Sequence, residues 1–318
     1  MLCCGSRGFS GFEIRSCILR YDKLFYLAAL TSLLISPTNL FAQKDDDVIS
    51  VDSSIVVMNA TITDASGKAV SGLTQKQFRV FEDGVEHEIV TFETEETPFA
   101  AVILLDTSGS MEQRVSLARA AAIQFLDGLR SGDSTAIYNF ASKVEMVQDF
   151  SSNRDMREQV YDLKANGMTV LNDAIYKAAE VLSKRPEKRR AIIVLSDGAD
   201  TMSKVSTDKA LKAALSVNAT IYAVDMSSLE LKPSDRAQNK GALTNFAEKT
   251  GGRYVATPGG VAMREAFKRI VAELSEQYTI AYSPTNIKKD GKWRAIELRV
   301  SRPNLTIRTR KGYNAPKK

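Results

Sequence analysis

From residue 54 to 97 apolar side chains recur at every second position, as in Val56, Met58, Ala60 and Ile62, a period that predicts strands with one buried face. Asp64-Ala65-Ser66-Gly67 supplies a turn. Residues 77–81 then run through Asp83-Gly84 into 85–92, the strongest short-range hairpin signal. His87, between Glu86 and Glu88, is expected to be an exposed strand residue. The period changes at residue 99. Residues 100–105, 191–195 and 220–224 are continuous apolar runs, expected of strands buried on both faces. Helical spacing fills the intervals. It covers 114–130 (through Val115, Ala118, Ala122, Phe125, Leu126 and Leu129), 171–182, 209–216, 241–250 and 261–277. Further strands are expected at 135–140, 144–150 and 254–256.

This alternation predicts an α/β domain over 98–277, built on a doubly wound, mostly parallel sheet with helices on both faces. After residue 277 the two-residue period returns at 278–282, 293–300 and 305–310, with Lys289-Asp290-Gly291-Lys292 as a turn. The β segments 54–97 and 278–318 are each marginal as an independent core. Together they hold six or seven short strands, the content of a small β-sandwich. They are therefore expected to pack on each other, with the α/β domain inserted between them.

The first 42 residues have a different logic. Arg15, Arg20 and Lys23 precede the apolar run 24–35, Pro37 breaks it, and Ala42 offers a small residue for cleavage before Gln43. That order is the form of a secretory signal peptide. The run is shorter than the roughly 20 residues a membrane span needs; the alternative is an uncleaved anchor. Residues 43–53, with Lys44-Asp45-Asp46-Asp47, read as a solvated linker. The mature protein would be periplasmic or extracellular, with no stable membrane span.

Composition then removes whole classes of function. The chain of 318 residues is 44% hydrophobic and 25% charged, with a net charge of +5, which is too mild to suggest nucleic acid as the main partner. It has one histidine, and its three cysteines, Cys3, Cys4 and Cys17, all precede residue 42. A His-ligated zinc site, a Ser-His-Asp triad around a cleft histidine and a disulfide framework all lack parts. No P-loop and no G-x-S-x-G elbow is present.

The candidate chemistry lies at strand ends. The run 100–105 leads directly into Asp106-Thr107-Ser108-Gly109-Ser110, at the edge where open α/β sheets bind ligands. Gly167-Met168-Thr169 precedes a helix, and Ser196-Asp197-Gly198 follows the strand 191–195. Thr169 could be a helix N-cap, and Asp197-Gly198 a tight turn. Taken together the set is all oxygen, two carboxylates and three hydroxyls. Such a donor set suits a hard divalent cation, Mg²⁺ first and Mn²⁺ or Ca²⁺ next.

With those residues in place, segment 99–277 resembles a von Willebrand factor type A domain. Asp106, Ser108, Ser110, Thr169 and Asp197 match its metal-ion-dependent adhesion site. The resemblance implies Ser108 and Ser110 as direct ligands and Thr169 as a direct or water-mediated one. It implies that Asp106 and Asp197 act through bound waters, and that an acidic residue of a partner protein completes the coordination. Met168 stands where the family motif often has a glycine. The flanks, with Val80-Phe81-Glu82-Asp83-Gly84, Tyr282-Ser283-Pro284 and Arg310-Lys311-Gly312-Tyr313, are similar to exported VWFA-related proteins of the Acidobacterial type. The resemblance implies a cation-dependent protein-binding, adhesion-type module rather than an enzyme. The alternatives are a structural cell-envelope component whose metal braces loops, and a metal-dependent hydrolase.

Overall fold

The computed structural model describes residues 55–317, apart from 95–96, 156–157, 229–231 and 257–259. The signal-peptide and linker expectations, with all three cysteines, lie outside the described residues. In chain order the strands are β1 (Val56–Thr63), β2 (Phe78–Glu82), β3 (Val85–His87), β4 (Ile89–Glu93), β5 (Phe99–Asp106), β6 (Ser134–Phe140), β7 (Val144–Ser151), β8 (Arg189–Ser196), β9 (Ala219–Asp225), β10 (Arg253–Ala256), β11 (Tyr278–Tyr282), β12 (Trp293–Val300), β13 (Thr306–Thr309) and β14 (Gly312–Asn314). The α-helices are α1 (Val115–Asp127), α2 (Leu171–Leu182), α3 (Thr207–Ser216), α4 (Pro233–Thr250) and α5 (Gly260–Ser275).

The central sheet has the order β10-β9-β8-β5-β6-β7, parallel except for β7, which runs antiparallel to β6. All eight residues of β5 are buried, because helices cover both faces. One layer packs α1 and α5 on the sheet through Phe125, Leu126 and Phe267. The other packs α2, α3 and α4 through Ile175, Ala214 and Phe246. The fold is thus mixed α/β with a mostly parallel sheet, as the alternation predicts. Helix α4 begins well before residue 241, where its apolar spacing starts. Its first half is polar and exposed, so only Pro233 at its first turn marks the start.

The segments on either side of this layer pair with each other. One sheet has the order β13-β1-β11-β4 and the second β14-β12-β2-β3, every pairing antiparallel. Each sheet therefore mixes strands from before and after the α/β region. Their inner faces share a core of Met58, Ile62, Val80, Tyr278, Ile280 and Leu298. The hairpin turn follows its sequence: Asp83 and Gly84 have φ of 48° and 83°, the two left-handed positions of a type I′ turn.

His87 corrects the sequence reading. It is buried, with its ring 5.2 Å from that of Tyr282 and Nδ1 3.2 Å from the Ser283 carbonyl oxygen. The cause is register. His87 lies opposite Val80, which faces the core, whereas Glu86 lies opposite Phe81 on the other face.

Strand β1 is buried on both faces. Val56, Met58, Ala60 and Ile62 face the sandwich core, while Asn59, Thr61 and Thr63 form a polar face that is also closed off. Thr279 donates to Asn59 Oδ1 (3.1 Å), and Gln277 Nε2 donates to Thr61 (3.3 Å) and to Tyr222 of β9 (3.4 Å). No helix among the described residues is long and apolar enough to cross a membrane.

Candidate functional site

The carboxyl edge of the central sheet collects the five residues singled out in the sequence. Asp106 ends β5 and is 0% exposed. Its Oδ1 accepts from the Ser108 amide (2.9 Å) and hydroxyl (2.6 Å), and its Oδ2 accepts from the Ser196 hydroxyl (2.6 Å). Ser108 is extended, and a single 3₁₀ turn, Gly109–Met111, follows. Met111 is fully buried in the core and pins this loop from below. The hydroxyls of Ser108 and Ser110 come within 3.1 Å of each other, Ser110 on the exposed side.

Backbone contacts bring the second loop against the first. The Gly109 amide donates to the Gly167 carbonyl (3.1 Å), and the Asn166 amide to the Thr107 carbonyl (2.8 Å). Gly167 has φ of 83°, and a Cβ there would lie 2.5 Å from Ser142 Oγ, so glycine is needed at that position. Met168 points to solvent and disturbs nothing, and its amide donates to Ser142 Oγ (3.1 Å).

Thr169 is not a helix cap. The N-cap of α2 is Val170, with no side-chain capping bond. The Thr169 amide donates to Thr201 Oγ1 (2.9 Å), and its carbonyl accepts the amides of Thr201 and Met202. Its hydroxyl has no hydrogen-bond partner among the described residues. The third loop holds Asp197, whose Oδ1 accepts the Ala199 amide (3.0 Å), the tight-turn contact. Gly198 has φ of 84°, and a Cβ there would lie 2.6 Å from the Asn239 carbonyl oxygen.

Three supporting residues were not singled out as ligands in the sequence. Ser196 bridges Asp106 and the Gly198 amide, Thr201 holds the Thr169 amide, and Ser227 Oγ donates to the Asp197 carbonyl (3.1 Å). Ser196 lies beside Asp197 in the same triplet. Thr201 and Ser227 carry no local signal, because only the fold brings them to the site.

The electrostatics are one-sided. Burial, the largest cause, pushes the Asp106 carboxyl up to about 6; hydrogen bonds from Ser108 and Ser196 oppose this, and the Asp197 charge adds to it. Neither Asp106 nor Asp197 forms an ion pair among the described residues. Among the described residues, no cluster of three or more His, Cys, Asp or Glu side chains comes together for a metal. A cation at this edge would therefore rest on two carboxylates and several hydroxyls. An all-oxygen set of that kind fits Mg²⁺ and does not fit a soft or imidazole-seeking metal.

Residues 101–199 match the sequence profile of the von Willebrand factor type A domain, the stretch that carries all five positions. The chain contains a von Willebrand factor type A domain. No curated protein matches the chain. Solved structures similar to it include the PilB minor pilin of Streptococcus sanguinis, at 13% identity and a TM-score of 0.45, covering 56% of this chain and 61% of that one. A von Willebrand factor type A protein of Catenulispora acidiphila is similar at 15% identity and TM-score 0.46, covering 80% and 71%. BatB of Bacteroides thetaiotaomicron is similar at 16% identity and TM-score 0.44, covering 56% and 98%. The chain thus spans less than two thirds of the pilin.

Proposed function

We propose that this type A domain is a divalent-cation-dependent protein-binding module of an exported, adhesion-type protein. One observation carries the reading. At a single sheet edge, a buried carboxylate with only neutral partners stands beside hydroxyls that have spare coordinating capacity. Ser108, Ser110 and Thr169 would hold Mg²⁺ through their hydroxyls, with Asp106 and Asp197 supplying the negative charge. Bound there, the cation would supply an under-compensated positive charge that attracts a carboxylate of a partner protein. This chain's part is positioning: Met111 anchors the first loop, Gly167 shapes the second, and Ser196 fixes the Asp106 carboxylate.

Binding is favoured over turnover. No histidine, lysine or cysteine is hydrogen-bonded to any of the five residues among the described residues, so a general base or strong nucleophile is not at hand. Export rests on the basic, apolar and small-residue order of 15–43 and places the protein in the periplasm or outside the cell. N-terminal sequencing of the mature protein is expected to begin near Gln43.

Titration calorimetry with Mg²⁺ and Mn²⁺ tests the site. The wild type is expected to bind one ion and Asp106→Ala none, with circular dichroism unchanged. Envelope-extract pull-downs with Mg²⁺ and with EDTA test the partner. Capture that survives both EDTA and Asp106→Ala would move recognition elsewhere, and metal binding without metal-dependent capture would favour a structural role that braces the loops.

A further inference from the structure

A second site lies at the opposite edge of the sheet. A cleft of about 600 Å³ opens where the amino end of β8, the end of α3 and the start of β9 meet the last strands of the sandwich. That volume is in the range of small-molecule pockets. Strand β8 advances six residues from Arg190, at this cleft, to Ser196, at the proposed metal-site edge, which separates the two by about 20 Å.

Its charge is of one sign. Arg190, Lys212 and Arg310 line it, with Lys188, Lys288 and Lys289, and no carboxylate among the described residues does. Lys188 is spoken for by Glu93. The two arginines are tied to the end of α3: Arg310 Nη1 donates to the Leu215 carbonyl (3.2 Å) and Arg190 Nη1 to the Val217 carbonyl (3.1 Å). Those bonds neutralise the negative end of the helix and hold both planar guanidiniums in place.

Donors are left over. Arg310 is 7% exposed, and its Nε is buried without a hydrogen-bond partner. The same holds for Arg190 Nε and for Asn218 Nδ2, and all three residues line the cleft. Buried donors without partners are costly and uncommon, and three residues lining this one cleft each carry one closed off behind its wall. Burial also pushes the Arg310 guanidinium down to about 10, with Tyr282, Tyr313 and Glu82 only partly opposing it. The remaining wall is apolar, with Val56, Leu215, Val217 and Ile287.

We propose that this cleft binds a small organic anion: a carboxylate or phosphate head held by Arg190, Asn218 and Arg310, and an apolar body against the Leu215–Ile287 side. Paired guanidiniums match either head group in a two-point geometry. The site uses none of the metal-binding residues and stands independently of the function proposed for them.

The test titrates the full chain with octanoate, octyl phosphate, inorganic phosphate and 1-octanol, read by calorimetry at millimolar concentrations. Saturable binding of octanoate or octyl phosphate is expected, with inorganic phosphate weaker and 1-octanol weaker still. Comparison of the first two arms identifies the head group. Lys212→Glu combined with Lys288→Glu, both on exposed side chains, is expected to weaken binding by about tenfold or more while leaving the fold intact. Arg310→Lys keeps the charge, loses the planar fork and is expected to weaken it as well. Binding should be indifferent to EDTA and to Asp106→Ala. The proposal is overturned if no alkyl anion binds saturably or if 1-octanol binds as well as octanoate. It also falls if the double lysine variant binds unchanged or if Asp106→Ala abolishes binding.

Discussion

Asp106 and Glu273 are both closed off from water, at 0% and 3% exposure, and they stand in opposite electrostatic company. Glu273, on α5, is flanked by two cations, Arg253 of β10 at 2.5 Å and Arg308 of β13 at 2.6 Å. The second is a charge contact whose angles are poor for a hydrogen bond. Arg308 also donates to the Gly252 carbonyl (3.0 Å), so this triad joins the type A domain to the sandwich. Asp106 has hydroxyl and amide donors only, and the nearby charge it feels is that of another carboxylate, Asp197. The protein balances one buried charge itself and leaves the other in deficit. Glu273 is paired within the chain, whereas Asp106 is held in place by neutral donors and left short of positive charge.

The largest expected effect therefore falls on the structural member. Glu273→Ala leaves Arg253 and Arg308 without their counter-charge, one of them largely buried. It is expected to cost about 3–5 kcal/mol of stability in urea denaturation at pH 7. A loss under about 1 kcal/mol would mean that the triad contributes little and that the contrast with Asp106 is superficial.

The opposite sign is expected at Asp106. In EDTA its folded-state pKa lies near 6, above the ordinary 3.8, chiefly through burial. Its contribution is therefore fully present below about pH 4 and is lost as the pH rises through 6. At pH 8 the ionised group costs the chelated protein about 3 kcal/mol. Asp106→Asn is thus expected to raise stability in EDTA at pH 8 by up to that amount. It should also remove the additional stabilisation that excess Mg²⁺ is expected to give the wild type. Thermal unfolding in EDTA and in Mg²⁺, at pH 5 and pH 8, checks all of this. A variant less stable than the wild type in EDTA would show that Asp106 is a structural hydrogen-bond acceptor like any other.

A middle-sized effect is expected at Gly167, which shapes a loop without carrying charge. Gly167→Ala puts a Cβ at φ of 83° and 2.5 Å from Ser142 Oγ. The strain is worth about 1–2 kcal/mol, and relieving it must shift Met168 and Thr169. Calorimetry is expected to show Mg²⁺ affinity falling by about tenfold with only a modest change in melting temperature.

The two regions also differ in how much of them the sequence reveals. Asp106, Ser108 and Ser110 lie within five residues at the end of an apolar run, so one strand-and-loop pattern exposes them together. Residues 99–277 are legible for the same reason: periods of two and 3.6 are local. The triad is illegible because Glu273, Arg253 and Arg308 lie on three elements with no shared motif, and Arg308 follows α5 by more than thirty residues. His87 misled for a related reason. Alternation places it relative to Glu86 and Glu88, but only pairing with Val80 decides which face is inside. The polar half of β1 likewise looks solvent-facing until Thr279 and Gln277 close over it.

The smallest effect on stability is expected where the ligand role should be purest. Thr169 is 3% exposed, yet its hydroxyl bonds to nothing among the described residues and the N-cap of α2 is Val170. A hydroxyl with a structural partner costs about 1 kcal/mol or more to remove. One without a partner costs almost nothing when replaced by a methyl of the same shape. Thr169→Val keeps the branching at Cβ and the backbone bonds to Thr201 and Met202, so stability in EDTA is expected to change by less than about 0.5 kcal/mol. If the hydroxyl is a cation ligand, the same variant should weaken Mg²⁺ binding by about tenfold and should reduce metal-dependent partner capture further. Thr169→Ser, which restores the oxygen, should recover both. Destabilisation in EDTA with unchanged Mg²⁺ affinity would assign the hydroxyl to the fold. The charge deficit at this edge would then have to be met by Ser108, Ser110, Asp106 and Asp197 alone.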